Sequence, residues 1–261
     1  MRDDYIYVHL ESLVNLIYSR GITSSDFLQG VFQIPTNILL LNNTTDDNRQ
    51  IDPHTLLNEI NGAKEIGDFL NSPNGGTAKW IDFSQREALG DLTANDIAEL
   101  LYMGHMNSHL NTPFSYKLQN DFVYLTVGDD QVKTYYRRLK NFYAVLNHAL
   151  VRHADQSFNE RRGMFRRTVK FAEVPQTMVR QLIPILGEGL IFAFDQSFEQ
   201  DHQYRVPILM VSDSNLAPTL RSRESLYNKA QQVAVLKYHL KSGHWHFVVT
   251  DPHAFDNDSL Y

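Results

Sequence analysis

The period of the apolar residues changes partway along this chain, and that change constrains its fold more than any other feature. Through the first ninety residues the spacing predicts mostly helix. Leu13-Val14-Asn15-Leu16-Ile17-Tyr18 has helical apolar spacing, and Thr23-Ser24-Ser25-Asp26 offers a capping start. Asp52-Pro53 predicts a helix opening that runs on through LLNEINGAKEIGDFL, and a further helix starts at Thr93 with Ile97, Leu100 and Leu101 on one face. From Phe114 the period becomes two. FSYKLQ, FVYLTV and QVKTYY read as strands joined by Asn120-Asp121 and Gly128-Asp129-Asp130, an antiparallel meander. Leu139, Phe142, Tyr143, Leu146 and Leu150 form an apolar stripe that predicts a helix covering that sheet.

Beyond it, MFRRTVKF reads as another strand. Pro175 begins a helix that Pro184, Gly187 and Gly189 interrupt, and YRVPILMV and QVAVLKYHLKSGHWHFVV read as strands. The fold class expected is α+β: a helical N-terminal part followed by an antiparallel β-meander or sheet packed with helices. The turn-rich SPNGG at 72–76 offers a break between a mainly helical subdomain, 1–76, and an α+β domain with antiparallel strands, 77–261, the alternative being a single domain.

Of the 261 residues, 43% are hydrophobic and 21% charged, which supports a packed core and argues against a disordered chain. Cysteine is absent, which removes disulfides, thiolate metal sites and cysteine nucleophiles and suits a reducing cytoplasm. MRDDYIYVHLESLVNL carries acids and no sustained apolar run, so it does not read as a signal peptide, and no apolar run approaches the roughly 18 residues of a membrane span. The expectation is a cytoplasmic protein without a membrane partner.

Charge is distributed unevenly. Between Lys133 and Lys170 stand ten basic residues (Lys133, Arg137, Arg138, Lys140, Arg152, Arg161, Arg162, Arg166, Arg167 and Lys170) against Asp155 and Glu160. That segment is +8 in a chain of −6, so the remainder carries −14. Phe165 and Phe171 interleave with its cations, and Tyr135 and Tyr136 precede Arg137. Arginine grips phosphates bidentately and aromatic rings stack on bases, so Arg137, Arg138, Arg161, Arg162, Arg166, Arg167 and Lys170 are the expected anion-binding residues. The alternative is that these charges pair with the acidic remainder of the same molecule or stand in water.

Two histidine groups raise metal chemistry. In GHMNSH, counting by fours from Ile97 gives Leu101, His105 and His109, which predicts a core-facing row. Met106 stands where a zinc protease needs glutamate, which argues against a catalytic zinc there. At the C-terminus, a two-residue turn at Ser242-Gly243 would pair His239 with His246 and Tyr238 with Phe247. Leu236, Tyr238, Leu240, Trp245, Phe247 and Val249 then share one face, and His239, His244 and His246 share the other, offering a zinc or other divalent-metal site.

VGDDQ at 127–131 places two acids in a turn, which magnesium sites and ordinary hairpins both use. RGITSSDFLQGVF and LTANDIAELLYMG faintly resemble helix-turn-helix elements, the second with the FVYLTVGDDQVKTYY hairpin as a wing. No nucleophile elbow, phosphate-binding loop or dinucleotide fingerprint is present. The function expected is therefore a non-enzymatic binding or regulatory protein that engages nucleic acid, an acidic protein or a phosphorylated ligand through residues 133–170. The alternative is a divalent-metal-dependent hydrolase built on the C-terminal histidines.

Overall fold

The computed structural model describes residues 4–42, 50–105, 112–128, 131–162, 168–211 and 223–255. Along the chain run β1 (Ile6–Glu11), β2 (Leu16–Arg20), α1 (Ser24–Gly30), β3 (Asn37–Leu40), β4 (Gln50–Ile51) and β5 (Asn58–Asn61). Next come α2 (Ala63–Leu70), α3 (Pro73–Gly76), β6 (Lys79–Asp82), α4 (Glu87–Gly90) and α5 (Ala94–His105). The hairpin β7 (Phe122–Val127) and β8 (Gln131–Tyr136) leads into the long α6 (Leu139–Arg162) and then α7 (Gln176–Gln181). The chain closes with β9 (Leu190–Phe192), β10 (Phe198–Gln200), β11 (Gln203–Met210), α8 (Arg223–Tyr227), β12 (Gln231–His239) and β13 (His244–Val249).

These elements form two compact units that interleave in sequence. One comprises Met1–Leu10, Tyr18–Ile22 and Tyr143–Tyr261; the other comprises Glu11–Ile17 and Thr23–Phe142. The expected boundary at 76/77 falls inside the second.

In the first unit, neighbouring strands run in the order β13-β12-β11-β9-β1, with β10 attached to β11. All these pairings are antiparallel: Ile6 faces Phe192, Val206 faces Leu236 and Tyr238 faces Trp245. Its core includes Phe158 of α6 with Phe171, Tyr204, Tyr238 and Trp245, whose rings meet at centroid separations of 4.5–5.5 Å. Trp245 donates its indole N–H to the Ala172 carbonyl at 2.7 Å, which satisfies the only polar atom of a buried side chain.

In the second unit the order is β8-β7-β6-β3-β5-β4, again antiparallel. Trp80 stacks on Tyr124 at 5.3 Å, and Phe27 of α1 meets Trp80, Phe122 and Tyr124. Thr23 caps α1 in a reciprocal pair with Asp26, as the sequence predicts.

The expectation of a helical N-terminal part is overturned: among the described residues six strands, β1 to β6, lie within the first 82 positions. Leu16–Arg20 is a strand, and Asn15 turns the chain into it with φ 52°. Ile6, Tyr7, Val8, Leu16, Ile17 and Tyr18 are all buried, so neither strand shows the polar alternation by which a half-exposed strand is recognised. LLNEINGAKEIGDFL divides at Gly62, φ 97°, into strand β5 and helix α2.

Smaller expectations are corrected too. Tyr116–Gln119 forms a turn rather than a strand, and Thr168–Phe171 lies in no strand; 164–167 fall outside the described residues. SPNGG holds the short α3, capped by Ser72. After α1 the chain bends directly into β3, so no second helix completes a helix-turn-helix there. Helix α5 buries Leu100, Met103 and Gly104, turning Leu101 and His105 outward. Gly104 is required by close approach, because a Cβ there would lie 2.0 Å from the Leu41 carbonyl oxygen.

Candidate anion-binding site

Four neighbouring strands of the second unit bring their ends together. Because β8, β7, β6 and β3 alternate in direction, one end of this sheet collects the last residues of β6 and β8 and the first of β7 and β3. Asp82 faces Ile38 across one pair, and Phe122 faces Tyr136 across another. The adjoining segments 32–36, 82–84, 119–122 and 138–141 wall a cavity of about 400 Å³, inside the usual range of small-molecule sites. Its walls are mostly polar: Gln33, Thr36, Asp82, Ser84, Gln119, Asp121, Arg138, Lys140 and Asn141 stand with Phe32, Phe83 and Phe122.

Backbone and amide bonds hold these segments in place. Asn37 donates its side-chain amide to the carbonyls of Phe83 (3.2 Å) and Ser84 (3.3 Å). Ser84 donates its N–H to the Leu118 carbonyl, and Phe32 donates its N–H to Asn141 Oδ1 at 3.5 Å. Asp82, 9% exposed, accepts the N–H of Phe122 at 2.6 Å and that of Asp121 at 3.0 Å. Burial pushes its carboxyl up to about 7, against the pull of those two N–H groups; the Asp121 charge adds to the rise.

Arg138 immediately precedes α6, Lys140 is its second residue, and both are exposed. Neither has a carboxylate partner among the described residues; the Lys140 ammonium sits 5.4 Å from the Phe32 ring centroid. The first turn of this 24-residue helix contains no acid. Cations at the positive end of a helix dipole are unfavourable by themselves, and an anion placed among them reverses the sign.

The other basic residues have different surroundings. Arg137 donates Nε–H to the Asn120 carbonyl at 2.7 Å, lies 3.4 Å from Asp121 Oδ1 and covers the Phe114 ring at 5.0 Å. Arg161, in the first unit, donates to the carbonyls of Phe194 (2.9 Å), Asp195 (3.1 Å) and Ser197. Arg152 binds the Gly21 carbonyl at 2.8 Å. Lys133 is 2% exposed, and burial lowers its pKa, opposed by Glu11 and reinforced by Lys79. Lys170 is exposed; the side chain of Arg162, and Arg166 and Arg167 entirely, lie outside the described residues.

The expected anion-binding residues thus fall in different units, and among the described residues Arg138 alone of them lines the cavity. Lys140 belongs to the basic run but not to the seven expected anion-binding residues, and Asp82 is not among the sequence-based candidates. The available signal for Asp82 was a carboxylate inside the apolar run Trp80-Ile81-Asp82-Phe83.

The histidine hairpin has a turn two residues longer than expected. His239 pairs with His244, Lys237 with His246 and Tyr238 with Trp245. A shift of two keeps the paired side chains on their expected faces, while Leu240 moves into the turn. The His239 and His246 rings lie 6.2 Å apart, edge to face, and among the described residues no group of three or more His, Asp or Glu side chains is placed to hold a metal ion. His105 is exposed, while His109, Asp129 and Asp130 lie outside the described residues. No helix among the described residues is long and apolar enough to cross a membrane.

Comparison with protein-family models, curated proteins and solved structures finds no match to this chain.

Proposed function

We propose that this is a binding protein for a small anionic ligand, held in the cavity at the shared strand ends by Arg138 and Lys140. One observation carries the reading. Two cations without carboxylate partners among the described residues, Arg138 just before and Lys140 within the acid-free first turn of a long helix, stand beside a polar cavity of ligand size. The cavity's volume favours a phosphorylated or carboxylated small molecule over a nucleic-acid strand. Calorimetric titration of inorganic phosphate and pyrophosphate into the protein at low ionic strength tests it. Binding should weaken as salt rises, and Arg138→Glu with Lys140→Glu should reduce affinity at least about tenfold, as expected for losing charge-assisted hydrogen bonds. Unchanged affinity in a folded double variant would place the anion elsewhere.

A further inference from the structure

We infer that the ligand carries a planar heterocycle beside its phosphate, a mononucleotide-like molecule whose ring stacks on Phe32; this rests on the anion-binding reading above. Phe32 lines the cavity yet is 63% exposed, a large ring kept in water beside the proposed phosphate site. Its backbone is anchored on both sides. Val31 is buried and ties its N–H to the Phe27 carbonyl, Pro35 is buried, and the Phe32 N–H itself is held by Asn141. A loop aromatic free to collapse would cover itself; this one is held where a flat partner can complete its burial.

The Lys140 ammonium near that ring links the two halves of the site, since one cation then serves both the aromatic face and an adjoining phosphate. Gln33 and Gln119 line the same cavity and present amide donors and acceptors, which suits the polar edge of a base better than a plain hydrocarbon ring. Stacking tolerates any base, so the inference names the class and not the base.

The test is calorimetry with adenosine, guanosine, cytidine and uridine 5′-monophosphates against ribose 5-phosphate, the same anion without the ring. At least one mononucleotide should bind about tenfold more tightly or better. Phe32→Ala should erase that advantage, so that mononucleotides and ribose 5-phosphate bind the variant alike, and Phe32→Leu, which keeps apolar bulk without a ring, should behave like alanine. Arg138→Ala should weaken both classes. Equal binding of ring-bearing and ring-free phosphates, or an advantage that survives in Phe32→Ala, overturns the stacking inference and leaves anion binding standing. Absence of binding by every phosphate overturns both.

Discussion

Asp82 lines the cavity and is costly to the fold. In the unfolded chain its carboxyl ionises near 4; in the folded protein burial holds it at about 7. Below pH 4 both states are protonated and no penalty exists. Between 4 and 7 the unfolded chain releases its proton while the folded protein retains it, so stability falls by up to about 4 kcal/mol. Above 7 both states are ionised and the deficit stays constant. Asp82→Asn retains an acceptor for the Asp121 and Phe122 N–H groups but cannot ionise. Its melting temperature should therefore exceed that of the wild type at pH 8, with the gap closing as pH falls toward 4. An equal or lower melting temperature at pH 8 would mean that the carboxylate is stabilised in place. Asp82 was legible only as an anomaly in an apolar run; what makes it part of a site is the arrival of residues 119–122 and 138–141, which no local pattern announces.

The β12–β13 hairpin was the most legible element, because parity survives an error of two in register whereas an error of one would not. Tyr238 and Trp245 are buried as expected, and His244 and His246 face outward. Trp245→Ala should destabilise the protein by about 3–5 kcal/mol, through the lost contact with Phe171 and Tyr238 and the Ala172 carbonyl left without its donor. His246→Ala, on the exposed face, should change stability by about 0.5 kcal/mol or less. Urea denaturation of both variants checks the contrast, and comparable losses would show that the histidine face carries structure. Other elements misled for physical reasons. Strands β1 and β2, buried on both faces, lack alternation, and the spacing of Leu13, Leu16 and Ile17 fits a helix equally well. In α5, apolar residues occur on several sides, so Ile97 and Leu101 suggested the wrong phase, while Leu100 and Met103 mark the buried row.

At the scale of the whole molecule, the two units cannot be read as successive stretches of chain. The first takes Met1–Leu10 and Tyr18–Ile22 from one end and Tyr143–Tyr261 from the other. Its sheet depends on that joining: β1 pairs with β9 through Ile6 with Phe192 and Val8 with Leu190, and all four side chains are fully buried. Further N-terminal contacts tie into α6, where His153 sits between the Asp4 carboxylate at 2.6 Å and the Gly21 carbonyl at 2.8 Å. A break placed by composition at 76/77 could not reveal this, since it presumes that domains are continuous. The physical consequence concerns autonomy. A fragment of residues 143–261 retains β9 to β13 but loses β1, exposing the Phe192 and Leu190 edge of β9 and removing both partners of His153. It should therefore lack dispersed amide resonances and cooperative melting when expressed alone. A peptide of residues 1–22 supplies β1, Asp4 and Gly21 together, and its addition should restore part of the dispersion in a concentration-dependent way. Cooperative unfolding of the isolated fragment, or indifference to the peptide, would show that the C-terminal strands close a core without the N-terminus.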